Sequence, residues 1–251
     1  MFFKKRFIKK FRLKLRKIKN KYFKEIQDEK NKYIRVLNHD IKTPLLAQNQ
    51  SLELVLNEKF GKLSNEQKEI IEEIYNSNNF LLDIVTNSIF LEKYEKEKPE
   101  LKLEKVDFIE QITDCCEMIK KQAKLKSQNI VIKAKANKKI NLEADKILVQ
   151  KIISNILKSS ISQGFENSDI EVLINENKDS ISFYTKNKSI YMTKEKINSL
   201  FEDKKGLSDF NQLGMNLNLN IAKKLINAHK WDIVAQSKKD NSSTFGFVAK
   251  K

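Results

Sequence analysis

The sequence predicts a two-helix hairpin that pairs with its own copy as a four-helix bundle, followed by a two-layer α/β sandwich. Three observations predict this. Apolar residues over the first 95 positions recur in steps of three and four. Beyond residue 99 the spacing switches to short alternating runs set between helical ones. Five Gly and two Pro in 251 residues are too few for a turn-dense all-β chain.

The first element is strongly basic, with Glu25 the single acid among residues 1–25. Its stripe reads Phe7, Phe11, Leu15, Ile18, Tyr22, Ile26 and continues through Tyr33, Leu37 and Ile41 without a breaker. One helix is therefore expected to run past residue 39. Such a stripe fits pairing with a second copy first, and an anionic membrane surface through residues 1–25 second. A solvated helix with coding-biased lysines is the bland alternative. The net charge of +16 is also compatible with nucleic acid, but Arg occurs only at positions 6, 12, 16 and 35. Arg is the bidentate reader of phosphate and guanine, so its scarcity argues against a nucleic-acid partner. No stretch of 18 apolar residues and no signal-peptide pattern is present, and the expected location is cytoplasmic, at most peripheral at the inner membrane face.

The first helix should fade near Asn57, with "EKFGKL" making the turn. Ser64 and Gln67 have the spacing of a capping box that opens a second helix, whose stripe is Ile71, Ile74, Leu81, Val85, Ser88 and Leu91. A lone hairpin with one stripe per helix cannot bury both, and a homodimer can. "KYEKEKPELKLEKVD", residues 93–107, reads as a connector. After it, helices are expected at 107–125, 143–163, 193–202 and 217–229. Strands are expected at "NIVIKAKA", "DIEVLIN", "SISFYT", "DIVAQS" and "TFGFVA". The predicted division is 1–30, a basic helical segment; 31–98, the dimerisation hairpin; and 99–251, the sandwich. Cys115 and Cys116 are adjacent, lack CxxC spacing, and read as reduced helix thiols; no metal site is predicted.

The chemistry concentrates in "LNHDIKTPLLA", residues 37–47. Neutral imidazole is nucleophilic at pH 7, and a neighbouring carboxylate can hold its other nitrogen as N–H. Asp40 stands next to His39 for that role. Thr43, four residues on, shares the helix face of His39 and has a hydroxyl able to position water. Pro44 lacks an N–H, which frees the carbonyl of Asp40 and marks a hinge.

"NHDIKTP" resembles the phosphoacceptor box of sensor histidine kinases of bacterial two-component systems. The similarity runs from about residue 31 to the C-terminus. "LLDIVTNSIFLEKYEKEKPELKLEKVDF" resembles the second bundle helix and its exit, and "LEADKILVQKIISNIL" the helix leading into the asparagine box. "MTKEKINSLFE" and "GMNLNLNIAKKLINAH" resemble the segments around the glycine boxes. The resemblance implies a dimeric hairpin joined to a Bergerat-type ATP-binding sandwich. It further implies ATP and Mg²⁺ as cofactors and a response-regulator receiver domain as partner. It makes His39 the phosphorylated residue, Asp40 an aid to transfer, and Thr43 a participant in phosphatase action.

The nucleotide motifs depart from that family's pattern. Asn155 matches the first asparagine of its box, but Ser159 stands where the second would hold Mg²⁺, and Ser162 where a basic residue is usual. Asn187 replaces the Asp that would accept the adenine amino group, and Ser189 and Tyr191 replace the glycines after it. Gly214 is kept, while Asn216 and Asn218 replace the next two glycines. The expected lid, Asp203–Leu213, is short. His229 and Trp231 read as packing residues. The leading expectation is phosphoryl transfer through His39, to or from a receiver aspartate, or removal of that phosphoryl group, as in a phosphorelay or pseudokinase. An active ATP-dependent kinase and a non-enzymatic dimeric scaffold are the alternatives.

Overall fold

The computed structural model describes residues 2–97, 99–135, 139–201 and 210–250. The chain divides into two compact units, Met1–Phe90 and Leu91–Lys251.

The first unit is a helical hairpin. Helix α1 runs Phe2–Leu56 and passes through Pro44 without interruption. Helix α2 runs Asn65–Lys96 and crosses into the second unit at its end. The predicted capping box opens α2. Ser64 N–H donates to Gln67 Oε1 at 2.9 Å, and Gln67 N–H donates to Ser64 Oγ at 3.2 Å. The side chains of Phe7, Phe11, Leu15, Ile18, Tyr33 and Leu37 lie outside the described residues. Tyr22 and Ile26 are exposed.

Within the predicted α2 stripe, Ile71 and Val85 are half-buried, and, as expected of a lone hairpin, part of the stripe stays open to solvent. Leu45 is buried, yet Ile74, Leu81, Leu54 and Leu46 remain exposed. The buried positions facing across are Asn49 and Asn78 instead. Ala47, Leu52, Ile74 and Leu81 line an open groove with Gln48, Ser51, Ser77 and Asn78. A single hairpin leaves this groove open.

The second unit places β1 (Glu104–Asp107), α3 (Phe108–Lys124), β2 (Asn129–Lys135), β3 (Asn141–Ala144) and α4 (Lys146–Gln163) in order. There follow β4 (Asp169–Glu176), β5 (Ser180–Lys188), α5 (Lys194–Leu200), α6 (Phe210–Ala228), β6 (Asp232–Lys238) and β7 (Ser242–Lys250). The main sheet has the order β2-β4-β5-β7-β6. Only β2–β4 is parallel; the other neighbours are antiparallel. Ile170, Val172 and Ile174 of β4, Ile181 and Phe183 of β5, and Phe245 and Phe247 of β7 alternate onto one buried face. Helices α3, α4 and α6 supply Phe108, Ile112, Ile152, Ile153, Ile156, Ile221 and Leu225 against it. Phe247 sits at the centre, 5.8 Å edge-on from Phe108 and 5.1 Å stacked on Trp231.

Three expectations on element limits are corrected. The connector 93–107 contains the end of α2 and strand β1. Residues 143–144, expected as helix, belong to β3, which pairs antiparallel with β1. That pairing joins segments far apart in sequence, which local spacing does not reveal. The last helix starts at Phe210, seven residues before the expected 217. Gly costs a helix about 1 kcal/mol relative to Ala, and Asn less. With Asn216 and Asn218 in place of Gly, the helix propagates upstream across Gly214.

Candidate functional site

His39 projects from α1 with its side chain 82% exposed, and Asp40 beside it is 65% exposed. Nδ1 of His39 lies 3.4 Å from Asp40 Oδ1, a long contact in which Nδ1 donates when it carries the ring proton. With the proton on Nδ1 facing Asp40, Nε2 presents a lone pair to solvent. Thr43 and Pro44, one turn on, are also exposed. Because α1 continues through Pro44, the carbonyl of Asp40 has no helical N–H partner there.

The turn following Pro44 is clamped by amides that the sequence reading did not single out. Asn78 Nδ2 donates to the carbonyl of Leu45 at 3.1 Å and to Asn49 Oδ1 at 2.9 Å. Asn49 Nδ2 donates to Asn79 Oδ1 at 2.7 Å. Further along, Tyr75 donates its hydroxyl to Glu53 Oε1 at 2.5 Å. That bond to Glu53 is the main cause holding the phenol above its ordinary pKa. The only sequence signal was Asn at two positions where the apolar stripes face each other.

In the second unit, the expected nucleotide residues are spread over α4, β5 and α6. Asn155 is buried on α4, and its Nδ2 has no hydrogen-bond partner. Ser159 is fully buried and donates its hydroxyl back to the carbonyl of Asn155 at 2.8 Å. Asn187, near the end of β5, donates Nδ2 to the carbonyl of Ser160 at 3.3 Å, while its Oδ1 is unpartnered. Gly164 permits this approach: a Cβ there would meet Gln128 Nε2 at 2.7 Å and the Ser160 carbonyl at 3.1 Å. Ser189 is bonded to Ser243 at 2.6 Å, and Tyr191 is partly exposed.

Gly214, Asn216 and Asn218 all lie inside α6. In a helix the N–H of each residue points to the carbonyl four residues back, so these three N–H groups are directed at residues 210, 212 and 214. They form no open loop of free N–H groups able to cradle phosphate. Asn218 is buried, and Asn216 Oδ1 is buried without a partner. Among the described residues, no group of three or more His, Cys, Asp or Glu could hold a metal. Among the described residues, the side chains of Asn155, Ser159 and Asn187 bring neutral amide and hydroxyl groups to this part of the unit. Residues 203–209 of the expected lid lie outside the described residues.

The remaining sequence candidates are structural. His229 Nδ1 contacts the carbonyl of Leu225 at 2.9 Å, and Nε2 lies 3.3 Å from the N–H of Asp145. Its ring stacks 4.5 Å from Trp231. Asp145 caps α4 and also accepts the N–H of Lys102 at 3.0 Å. Cys115 and Cys116 are free and buried on α3, and burial pushes the Cys116 thiol up to about 12. Among the described residues, no helix is long and apolar enough to cross a membrane.

Comparison with known proteins places these two units in a family. Residues 29–97 match the His Kinase A (phospho-acceptor) domain, and residues 144–251 match the histidine kinase-, DNA gyrase B- and HSP90-like ATPase family. The chain is 24% identical over 234 residues to the heme sensor protein HssS of Staphylococcus saprophyticus, covering 91% of this chain and 48% of that protein. It is 22% identical over 231 residues to sensor protein KdpD of Clostridium acetobutylicum, covering 89% and 25%. A sensor-like histidine kinase of Rhizobium meliloti is 29% identical over 136 residues, covering 53% and 26%. The chain thus spans about a quarter to a half of the length of these relatives. Among solved structures, full-length ShkA in complex with AMPPNP superposes with a TM-score of 0.62 at 20% identity, covering 87% of this chain and 45% of that one. ThkA in complex with the response regulator TrrA gives 0.58 at 19%, covering 86% and 60%. These structural likenesses establish the fold. With a phospho-acceptor hairpin followed by an ATPase-type sandwich along one chain, the protein belongs to the sensor histidine kinase family.

Proposed function

We propose that this protein is a homodimeric two-component signalling protein in which His39 exchanges a phosphoryl group with an aspartate of a response-regulator receiver domain. The observation that carries this reading is the exposed His39 imidazole, with Asp40 at 3.4 Å and Thr43 one turn along the same helix. In the transfer from receiver to histidine, Nε2 of neutral His39 attacks the phosphorus of the aspartyl phosphate. The N–P bond forms as the P–O bond to the aspartate breaks, and the freed carboxylate leaves with the electron pair. Asp40 holds the Nδ1 proton and offsets the positive charge gained by the ring. Thr43 positions a water when the phosphoryl group is removed by hydrolysis instead. Pro44 is the hinge between this box and the rest of the bundle.

The apolar groove around Leu52, Ile74 and Leu81 supports homodimerisation, because a second hairpin would cover it. We divide the chain functionally into 1–30, 31–98 and 99–251. The basic composition of residues 1–25 suits an anionic membrane surface, which would keep the protein at the inner face of the membrane. The complex of ThkA with a response regulator supports the choice of partner. The ATPase-type fold and the AMPPNP complex of ShkA favour a second reading, ATP-dependent autophosphorylation of His39. The neutral donor set around Asn155, Ser159 and Asn187 favours exchange without it.

The test is transfer from receiver domains charged with acetyl phosphate, in nucleotide-free buffer. An acid-labile, alkali-stable phosphoryl group should appear on the wild-type chain and vanish in His39→Ala. Thr43→Ala should keep acceptance while slowing loss of phosphate from the receiver. Equal labelling of wild type and His39→Ala would overturn the proposal. Labelling from ATP alone would restore the second reading.

A further inference from the structure

The main sheet ends on one side at β2 and on the other at β6. In β6 the central residues Ile233, Val234 and Ala235 are half-buried, while six of the seven residues of β2 are exposed, Ile132 at 41%. Among the described residues, no strand pairs with the outer side of β2. Edge strands ordinarily carry a feature that stops further pairing: a proline, a bulge, or a charge held over the edge. Strand β2 has no proline, and its register with β4 is unbroken over all seven residues. The charge in its middle is spent within the sheet, where Lys133 pairs with Glu171 of β4. At its start, Asn129 donates Nδ2 to Asp169 Oδ1 of β4 at 3.2 Å. We propose that β2 is a self-complementary docking edge, on which the β2 of a second copy pairs antiparallel about a two-fold axis at Ile132.

The direction of the main chain sets the register. The N–H of Asn129 donates to the carbonyl of Ser168, which directly precedes β4. Main-chain groups alternate in direction along a strand, so residues 129, 131, 133 and 135 turn theirs to β4. Ile130, Ile132 and Ala134 turn theirs to the open edge. With the axis at Ile132, Ile130 of each copy faces Ala134 of the other, and all three open residues join a ladder of about six hydrogen bonds. An axis at Val131 or Lys133 brings only two of the three into register, and the second also sets two lysines face to face.

The side chains agree with that register. Ile130 and Ile132 are the partners of Ile170 and Val172 on the apolar face of the sheet, so the new contact there is apolar. On the other face, an antiparallel copy brings its Lys133 opposite Val131 and its Lys135 opposite Asn129. The β4 neighbours of Val131 and Asn129 are Glu171 and Asp169. The basic half of one edge thus meets the acidic half of the other. A parallel copy forfeits this match, and an acidic peptide would set its charge against Asp169 and Glu171. The contact uses β2 alone, so it adds to pairing of the hairpins and does not rest on the His39 reading.

The experiment places single cysteines in the full chain and adds a short bifunctional thiol reagent. In the proposed register the two Cβ atoms at position 132 lie about 5 Å apart, and those at 134 about 13 Å apart, four residues along the strand. Ile132→Cys should therefore form a covalent dimer at least about tenfold faster than Ala134→Cys. The wild type, whose Cys115 and Cys116 are buried, is the blank. Ile132→Lys sets like charges on the axis and should weaken concentration-dependent association, read by light scattering, about tenfold or more while melting stays cooperative. Should Ile132→Lys fail to fold, the cysteine pair decides alone. Equal rates at 132 and 134 would overturn the proposal. Absence of cross-linking at 132 would overturn it too, leaving the edge to an extended segment of another protein or to water. Cross-linking at 132 and His39 labelling from a charged receiver are separate readouts, so either can fail while the other stands.

Discussion

Replacing Asn78 by Ala should loosen the hairpin directly below the His39 box. Asn78 is 6% exposed, and its Nδ2 makes two hydrogen bonds, to the Leu45 carbonyl and to Asn49 Oδ1. Each is worth about 1 kcal/mol net, and stranding the buried Asn49 oxygen adds about 1 more. The expected loss is therefore about 2–3 kcal/mol, read as a lower urea midpoint with unchanged slope in far-ultraviolet circular dichroism. The double variant Asn49→Ala/Asn78→Ala should cost much less than the sum of the two singles, because both remove the same bond. Leu45 directly follows Pro44, so the exchange rate at His39 should fall with stability. A change below about 0.5 kcal/mol, the level of an ordinary surface substitution, would refute the idea that these amides hold the two helices together.

Other outcomes follow from the same structure. Gly246→Ala should destabilise the second unit by about 3 kcal/mol in thermal unfolding. A Cβ there collides with the Phe183 carbonyl and lies 2.8 Å from Tyr184 Cα, so the paired strand must shift. Ser64→Ala removes half of the capping box at the start of α2 and should cost about 1 kcal/mol by the same assay. The Cys116 thiol, raised by burial to about 12 from an unfolded value near 9.0, adds stability that is fully present below pH 9. That contribution is lost as pH rises toward 12, because the unfolded chain releases the proton first. Cys116→Ala should accordingly show a smaller fall in denaturation midpoint across that window than the wild type. A thiol reagent at pH 8 should label Cys115 and Cys116 only as fast as the unit opens.

Local chemistry made much of this protein legible from its sequence. The capping box of Ser64 and Gln67 is a contact across three residues, so its spacing alone locates the start of α2. The alternation in β4, β5 and β7 is likewise local, since a strand turns every second side chain to the same face. His39, Asp40, Thr43 and Pro44 lie within six residues of one helix, and their proximity needs no tertiary fold. Tertiary structure decided the rest. Strand β1 exists because β3, more than thirty residues on, offers it a partner. The Asn49–Asn78–Asn79 cluster needs both helices of the hairpin before its amides meet. The orphaned atoms of Asn155, Asn187 and Asn216 come from two helices and a strand, and whether each finds a partner is settled only when those elements pack. The sequence could show that glycines had been replaced around Gly214. Only the folded chain shows that α6 extends through them, turning N–H groups that a loop would leave free back into the helix itself.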